Sequence, residues 1–349
     1  MTTLKRIGVF GAGAVGGTIG GLLSLAGRDV TLIGQWREHI AAVRANGLRI
    51  VDAAGTRVAR PAMLHHDELA ALTQAFDVVL LCVKSYDTEW AVKAVAPHLA
   101  PQGFVASLQN GINEARIAAI VGIERTVGVG ISTIGANATN PGEVVRTSSK
   151  GGSQHTVFRA GEIDGRSTPR IAALVELLNL VDSAKATDNL MGERWSKLVI
   201  NSITHGLAAA TGLNSRALMV SKELRPLTIR LAAEGVRVGR AQNFKLVDIY
   251  GAEADTWLAA ERCDAQALAD IETGLHARYV RATEDERPSV ALDIMRGRRS
   301  ELEFTSGALV AKARDLGIAV PAQEALYAAA RRVERGELQA APANTSAFA

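Results

Sequence analysis

Six residues near the N-terminus, Gly11-Ala12-Gly13-Ala14-Val15-Gly16, restrict the fold more than any other stretch of the chain. Ile7, Val9 and Phe10 before them read as a short buried strand, and Val15, Ile19, Leu22 and Leu23 after them recur at helical spacing. Strand, glycine-rich turn and helix in that order fit the G-x-G-x-x-G pattern. Gly11 permits the tight turn, Gly13 lets a pyrophosphate reach the backbone without meeting a Cβ, and Gly16 lets helix pack on strand. The helix N-terminus then offers free N–H groups and the positive end of its dipole to phosphates. A second strand over 30–33 follows at the distance of a βαβ unit.

The residues closing that second strand bear on the coenzyme. A site for NAD carries an Asp or Glu there to accept the ribose hydroxyls. Ile33, Gly34 and Gln35 supply none, and Arg37 is close enough to meet a 2′-phosphate, so NADP is expected over NAD. The alternative is that Arg37 only opens a solvated helix over 37–46.

Further along, segments 48–51 and 56–58 flank a turn and read as a small hairpin inserted in a parallel scheme. An apolar strand over 77–83 has the composition of the buried middle of a parallel sheet and runs into Lys84. A helix over 87–99 and a strand over 104–108 follow, the latter running into Asn110. Both polar residues thus sit at carboxyl ends of central strands, the edge where such sheets bind ligands. Residues 126–158 look like the far edge of the sheet running partly antiparallel, 167–180 like helix and 181–186 like a last strand. Beyond 187–189, the expected hinge, amphipathic helices take over until about Glu337. The fold class expected is α/β: a doubly wound sheet in 1–187, then an all-α domain in 188–337, with a frayed tail in 338–349. A formal net charge of +3 argues against nucleic acid or a membrane surface as partner, and only two cysteines, Cys82 and Cys263, point to a reducing, cytoplasmic setting. No apolar run reaches the length of a membrane span.

Two constellations in the helical half carry chemistry. Lys197, Asn201 and His205 are spaced i, i+4, i+8 and share one helix face, between apolar Leu198, Val199, Ile200 and Ile203. A lysine on so apolar a helix needs compensating partners. Ser289 and Asp293 share a face of a later helix, which on ideal geometry would carry Glu301 on the same side unless Gly297 bends it.

With these residues in view the chain resembles the ketopantoate reductases from about Lys5 to Glu334. The landmarks are Gly11 to Gly16, Val83-Lys84-Ser85, Gln109-Asn110-Gly111, Trp195-Ser196-Lys197 with Asn201, Pro288-Ser289 with Asp293, Arg296-Gly297-Arg298, Glu301, and Gly317 to Pro321. The resemblance implies an N-terminal Rossmann-type domain, a helical C-terminal domain, and NADPH held between them. It implies Lys197 and Glu301 as catalytic residues and Asn201, Ser289 and Asn110 at the substrate; His205, which stands where the family has an asparagine, is read either as a further substrate contact or as a satisfied interior histidine. For the coenzyme it implies Gly11, Ala12, Gly13, Ala14, Val15, Gly16, Arg37, Lys84, Asn110, Ala136 and Glu301. No metal is expected, the implied partner is a small 2-oxo acid, and the implied assembly is a homodimer. Three positions depart from the family pattern: His205-Gly206 replaces an asparagine followed by proline, Asn214-Ser215 displaces an Asn-Gly pair, and Ser306-Gly307 replaces another. The activity implied is reduction of a 2-oxo acid to a 2-hydroxy acid with a lysine as general acid. The alternatives are a related reductase acting on another carbonyl compound, or a non-catalytic dinucleotide sensor.

Overall fold

The computed structural model describes residues 4–132, 134–153, 155–284 and 286–345. It divides into two units, Met1–Gln109 with Asn113–Leu190, and Asn110–Ile112 with Met191–Ala349. Three residues that follow a central strand of the first unit, Asn110 to Ile112, therefore belong with the helical one.

The first unit begins β1 (Arg6–Phe10), α1 (Ala14–Leu25), β2 (Asp29–Gly34) and α2 (Arg37–Asn46). The hairpin β3 (Leu48–Asp52) and β4 (Gly55–Ala59) precedes β5 (Ala62–His65) and β6 (Phe76–Leu81). Then come α3 (Thr88–Val95), β7 (Leu99–Ser107), α4 (Glu114–Val121), β8 (Thr126–Ile131), β9 (Ala136–Asn137) and β10 (Glu143–Arg146). The unit closes with β11 (Phe158–Gly161), α5 (Pro169–Asn179) and β12 (Ala184–Ala186).

The main sheet has the order β12-β11-β8-β7-β6-β1-β2-β5. Its strands pair in parallel except β11, which runs antiparallel to β8. Ile7, Val9, Leu32, Val78, Leu80 and Phe104 are fully buried or nearly so, as strands covered on both faces require. The order reverses direction at β1, between β2 and β6, where an open α/β sheet leaves its ligand crevice.

Several expectations need correction. The hairpin β3–β4 is not inserted in the parallel sheet; it forms a second sheet of order β4-β3-β10-β9, into which β10 enters parallel to β3. Residues 126–158 therefore split between two sheets. Helix α1 lies between them: a Cβ on Gly20 would come within 2.4 Å of Leu32 Cδ2 in the main sheet, and one on Gly21 within 2.6 Å of Ile50 Cδ1 in the small one. Strand β5 was not foreseen, being a four-residue edge strand with little alternation. The helix expected over 87–99 is α-helical only over Thr88–Val95, and a 3-10 turn at Ala96–His98 contains Pro97, which lacks the N–H that would continue it.

The second unit consists of α6 (Leu190–Thr211), α7 (Ser215–Val220), α8 (Arg225–Ala241), α9 (Ala254–Glu261), α10 (Ala265–Arg281), α11 (Ser289–Met295), α12 (Ser306–Asp315) and α13 (Pro321–Glu334). Its core centres on α6 and includes Trp195, Leu198, Val199, Ile203, Leu231, Val236, Trp257, Leu309 and Leu326. The tail expected to fray is tied down through Thr345: Ala341 N–H and Asn344 Nδ2 both donate to the Ala210 carbonyl, at 3.0 and 2.9 Å. Residues 346–349 lie outside the described residues. Among those described, no helix is long and apolar enough to cross a membrane.

Candidate active site

The turn from β1 into α1 is held by the neighbouring strand. Gly11 and Ala12 N–H donate to the Ile33 carbonyl at 2.9 and 3.2 Å, and Gly11 has φ +105°, a conformation open to glycine. A Cβ on Gly11 would stand 2.6 Å from the Cys82 carbonyl carbon, and one on Gly16 2.1 Å from the Gly11 oxygen. These two glycines are demanded by the protein's own backbone. Gly13 differs, because a Cβ there would meet nothing within 4 Å. It precedes α1 as its N-cap and offers no side-chain hydrogen bond to the first-turn N–H groups of Ala14, Val15 and Gly16. A bare backbone facing open space at a helix N-terminus fits the pyrophosphate of a dinucleotide.

The other expected coenzyme residues of this unit are placed as follows. Arg37 is the first residue of α2 and its guanidinium lies 3.3 Å from Asp67 Oδ2, both side chains exposed. Lys84 follows β6 and caps a 3-10 turn over Ser85–Asp87. Ala136 lies on β9 of the small sheet, paired with Arg146. The loop after β6 is fixed by residues that sequence reasoning did not assign. Gln109 Nε2 donates to the Val83 carbonyl at 3.0 Å and to Thr88 Oγ1 at 2.9 Å, Asn113 Nδ2 donates to Ser85 Oγ at 3.1 Å, and Arg116 donates to the Ser85 carbonyl at 2.8 Å. The signal for them was four-residue spacing of amides just beyond an apolar strand.

In the helical unit, the rotation of α6 is set by its buried face. Trp195 Nε1 donates to the Gly235 carbonyl at 2.9 Å. A Cβ on Gly235 or Gly239 of α8 would come within 2.7 Å of Val199 or 2.5 Å of Trp195. Two glycines one turn apart thus let α8 lie close against α6 and fix which way Lys197 faces. Asn201, 8% exposed, sits one turn beyond Lys197, and its Nδ2 has no hydrogen-bond partner among the described residues. His205, also buried, is one turn further.

Glu301 reaches this cluster by a route that helical periodicity does not give. Helix α11 ends at Met295, Gly297 takes φ +64°, and Arg298 N–H closes back on the Asp293 carbonyl at 2.8 Å. The ideal-helix placement of Glu301 is thereby corrected: it follows this turn and precedes a 3-10 turn at Leu302–Phe304. Glu301 is 3% exposed and accepts from Asn110 Nδ2 at 3.4 Å. Burial and the charge of Arg194 lower the Lys197 pKa to about 8, against the pull of the Glu301 carboxylate, which raises it. Asn110, Lys197 and Glu301 are thus brought together. Ser289, the half-buried first residue of α11, is not among the groups that this hydrogen bond and this charge tie together.

Of the three departures from the family pattern, two are absorbed by packing. Ser306 Oγ is fully buried and donates to the Ser202 carbonyl at 3.1 Å. Asn214 caps α7, accepting from Ala217 N–H at 2.8 Å, and Ser215 N–H donates to the Glu286 carbonyl. His205 alone lies on the lysine face.

Comparison with known proteins places this geometry. Family models described as "Ketopantoate reductase PanE/ApbA" and its C-terminal part match residues 7–159 and 189–334. A 2-dehydropantoate 2-reductase of Halobacterium salinarum is 32% identical over 334 residues, covering 95% of this chain and 99% of the relative. The crystal structure of a PanE/ApbA family ketopantoate reductase from Ralstonia eutropha JMP134 superposes with a TM-score of 0.78 at 27% identity, covering 95% and 99% of the two chains. D-mandelate dehydrogenase with NADH and anilino(oxo)acetate, 20% identical with a TM-score of 0.77 over 95% and 99% of the two chains, shares the fold.

Proposed function

Because this chain belongs to the ketopantoate reductase family of NADPH-dependent oxidoreductases, we propose that it reduces a small 2-oxo acid, 2-dehydropantoate foremost, with Lys197 as proton donor. NADPH, when bound, supplies a hydride from C4 of its nicotinamide. The chain's part is to bind, orient and protonate. Gly13 and the first-turn N–H groups of α1 would hold the pyrophosphate, Arg37 would take the 2′-phosphate, and Lys84 and Ala136 would line the coenzyme's path. Lys197, charged below a pKa of about 8, polarises the substrate carbonyl and gives its proton to the developing alkoxide. Asn110 and Glu301 orient the ammonium. The Asn201 amide, whose Nδ2 has no hydrogen-bond partner among the described residues, and the half-buried Ser289 hydroxyl are donors for the substrate oxygens.

The observation that carries this reading is the half-buried ammonium of Lys197, its pKa lowered by burial and held up by the charge of the buried Glu301 carboxylate. Its two cysteines are unpaired, in keeping with action in the cytoplasm. A panel of 2-oxo acids, followed by NADPH absorbance at saturating coenzyme, tests the activity. Highest kcat/KM with 2-dehydropantoate is expected; tight NADPH binding without oxidation by any member would make the chain a sensor instead.

A further inference from the structure

We propose that Asp67, at the carboxyl end of β5, sets how strongly this chain prefers a 2′-phosphorylated coenzyme, by competing with the phosphate for Arg37. The inference rests on the reductase reading, in that it takes the adenosine ribose to lie at the end of β2.

Strands β2 and β5 are parallel neighbours, with Gly34 opposite His65, so their carboxyl ends open on the same edge. Arg37 follows the first and Asp67 the second. In the depression they border, each guanidinium already faces a carboxylate: Arg37 faces Asp67, and Arg44 faces Glu68. A 2′-phosphate entering there meets balanced charge and an acidic neighbour, not two open arginines.

The two pairs differ in how committed they are. Glu68 also accepts the His65 N–H at 2.6 Å and so closes a capping box, while Arg44 also donates to the Met63 carbonyl at 2.9 Å. That pair holds the loop. The Arg37–Asp67 contact is longer, 3.3 Å, with side chains 72% and 60% exposed, and can open without disturbing the fold. His65 and His66 place Nδ1 atoms 3.1 and 3.0 Å from the same Asp67 carboxylate. This cluster has the makings of a cation site, but the guanidinium of Arg37 beside it and the Asp67 N–H donated to His65 Nδ1 favour a site for an anion to enter.

Exposed Arg–carboxylate pairs are worth at most about 1 kcal/mol, so freeing Arg37 should change relative affinity by up to about fivefold. The test is fluorescence titration of the full chain with NADPH and with NADH. It compares wild type, Asp67→Asn, Arg37→Ala and the double variant. Asp67→Asn should raise the NADPH:NADH affinity ratio about two- to fivefold, Arg37→Ala should lower it, and Asp67→Asn should move it less than twofold once Arg37 is gone. An unchanged ratio in Asp67→Asn, or an equal rise with and without Arg37, overturns the assignment while leaving the reductase reading intact. Failure of the wild type to bind either coenzyme overturns both.

Discussion

At the head of α1 function depends on atoms that are missing; on the lysine face of α6 it depends on atoms delivered from distant parts of the chain. Gly11 and Gly16 leave room for the protein's own backbone, and Gly13 leaves room for nothing within the unit. Lys197, by contrast, is grouped with Asn110 and Glu301, two residues 191 positions apart in sequence. The first region is local and each position has a steric test. The second is assembled by packing, and its chemistry is electrostatic. A substitution that removes a group should therefore damage the second region's chemistry, whereas one that adds a group should damage the first region's structure or its binding.

The largest effect is expected at the lysine. Lys197→Ala removes the proposed proton donor and should cost turnover about 10²–10⁴-fold, while NADPH binding, followed by fluorescence, survives. Full turnover with wild-type KM would sink the assignment.

The glycines come next, and they should separate. Gly11→Ala puts a Cβ 2.6 Å from backbone at φ +105° and should cost about 2–4 kcal/mol in denaturant unfolding. Gly13→Ala enters open space with an extended backbone and should keep stability within about 1 kcal/mol, yet weaken NADPH binding by about tenfold, a loss of about 1.4 kcal/mol. If Gly13→Ala binds NADPH as wild type does, the pyrophosphate does not lie on that turn.

These contrasts also explain what could be read from sequence. The strand–turn–helix around Gly11 to Gly16 was legible because each glycine answers to neighbours a few residues away. The face shared by Lys197, Asn201 and His205 was legible because one helix sets it. Glu301 was named, but its position was not derivable from helical periodicity, since Gly297 ends α11 and redirects the chain. The second sheet escaped because β10 pairs with β3 from nearly a hundred residues earlier, a contact that no local pattern encodes. Gln109 was named without a role, and Asn113 and Arg116 were not singled out, because their partners lie in the loop after β6.

The smallest effect expected is a change of preference. His205 is the one departure from the family pattern that lies on the lysine face, while Ser306 and Asn214 are held in packing and capping bonds. His205→Asn should shift the ratio of kcat/KM between 2-dehydropantoate and another 2-oxo acid by a fewfold, with little change in melting temperature. Ser306→Asn, pressed into a fully buried site, should instead lower the melting temperature. Equal selectivity in wild type and His205→Asn would remove His205 from the substrate site.

The pH profile of kcat/KM for reduction, in the wild type and in Glu301→Gln, tests the pairing of Lys197 with Glu301 most directly. As the proposed proton donor Lys197 acts while protonated, so kcat/KM should fall with rising pH through about 8. The Glu301 carboxylate raises that pKa, so in Glu301→Gln the fall should move to lower pH. A profile that stays flat to pH 10, or one that Glu301→Gln leaves in place, would contradict the account.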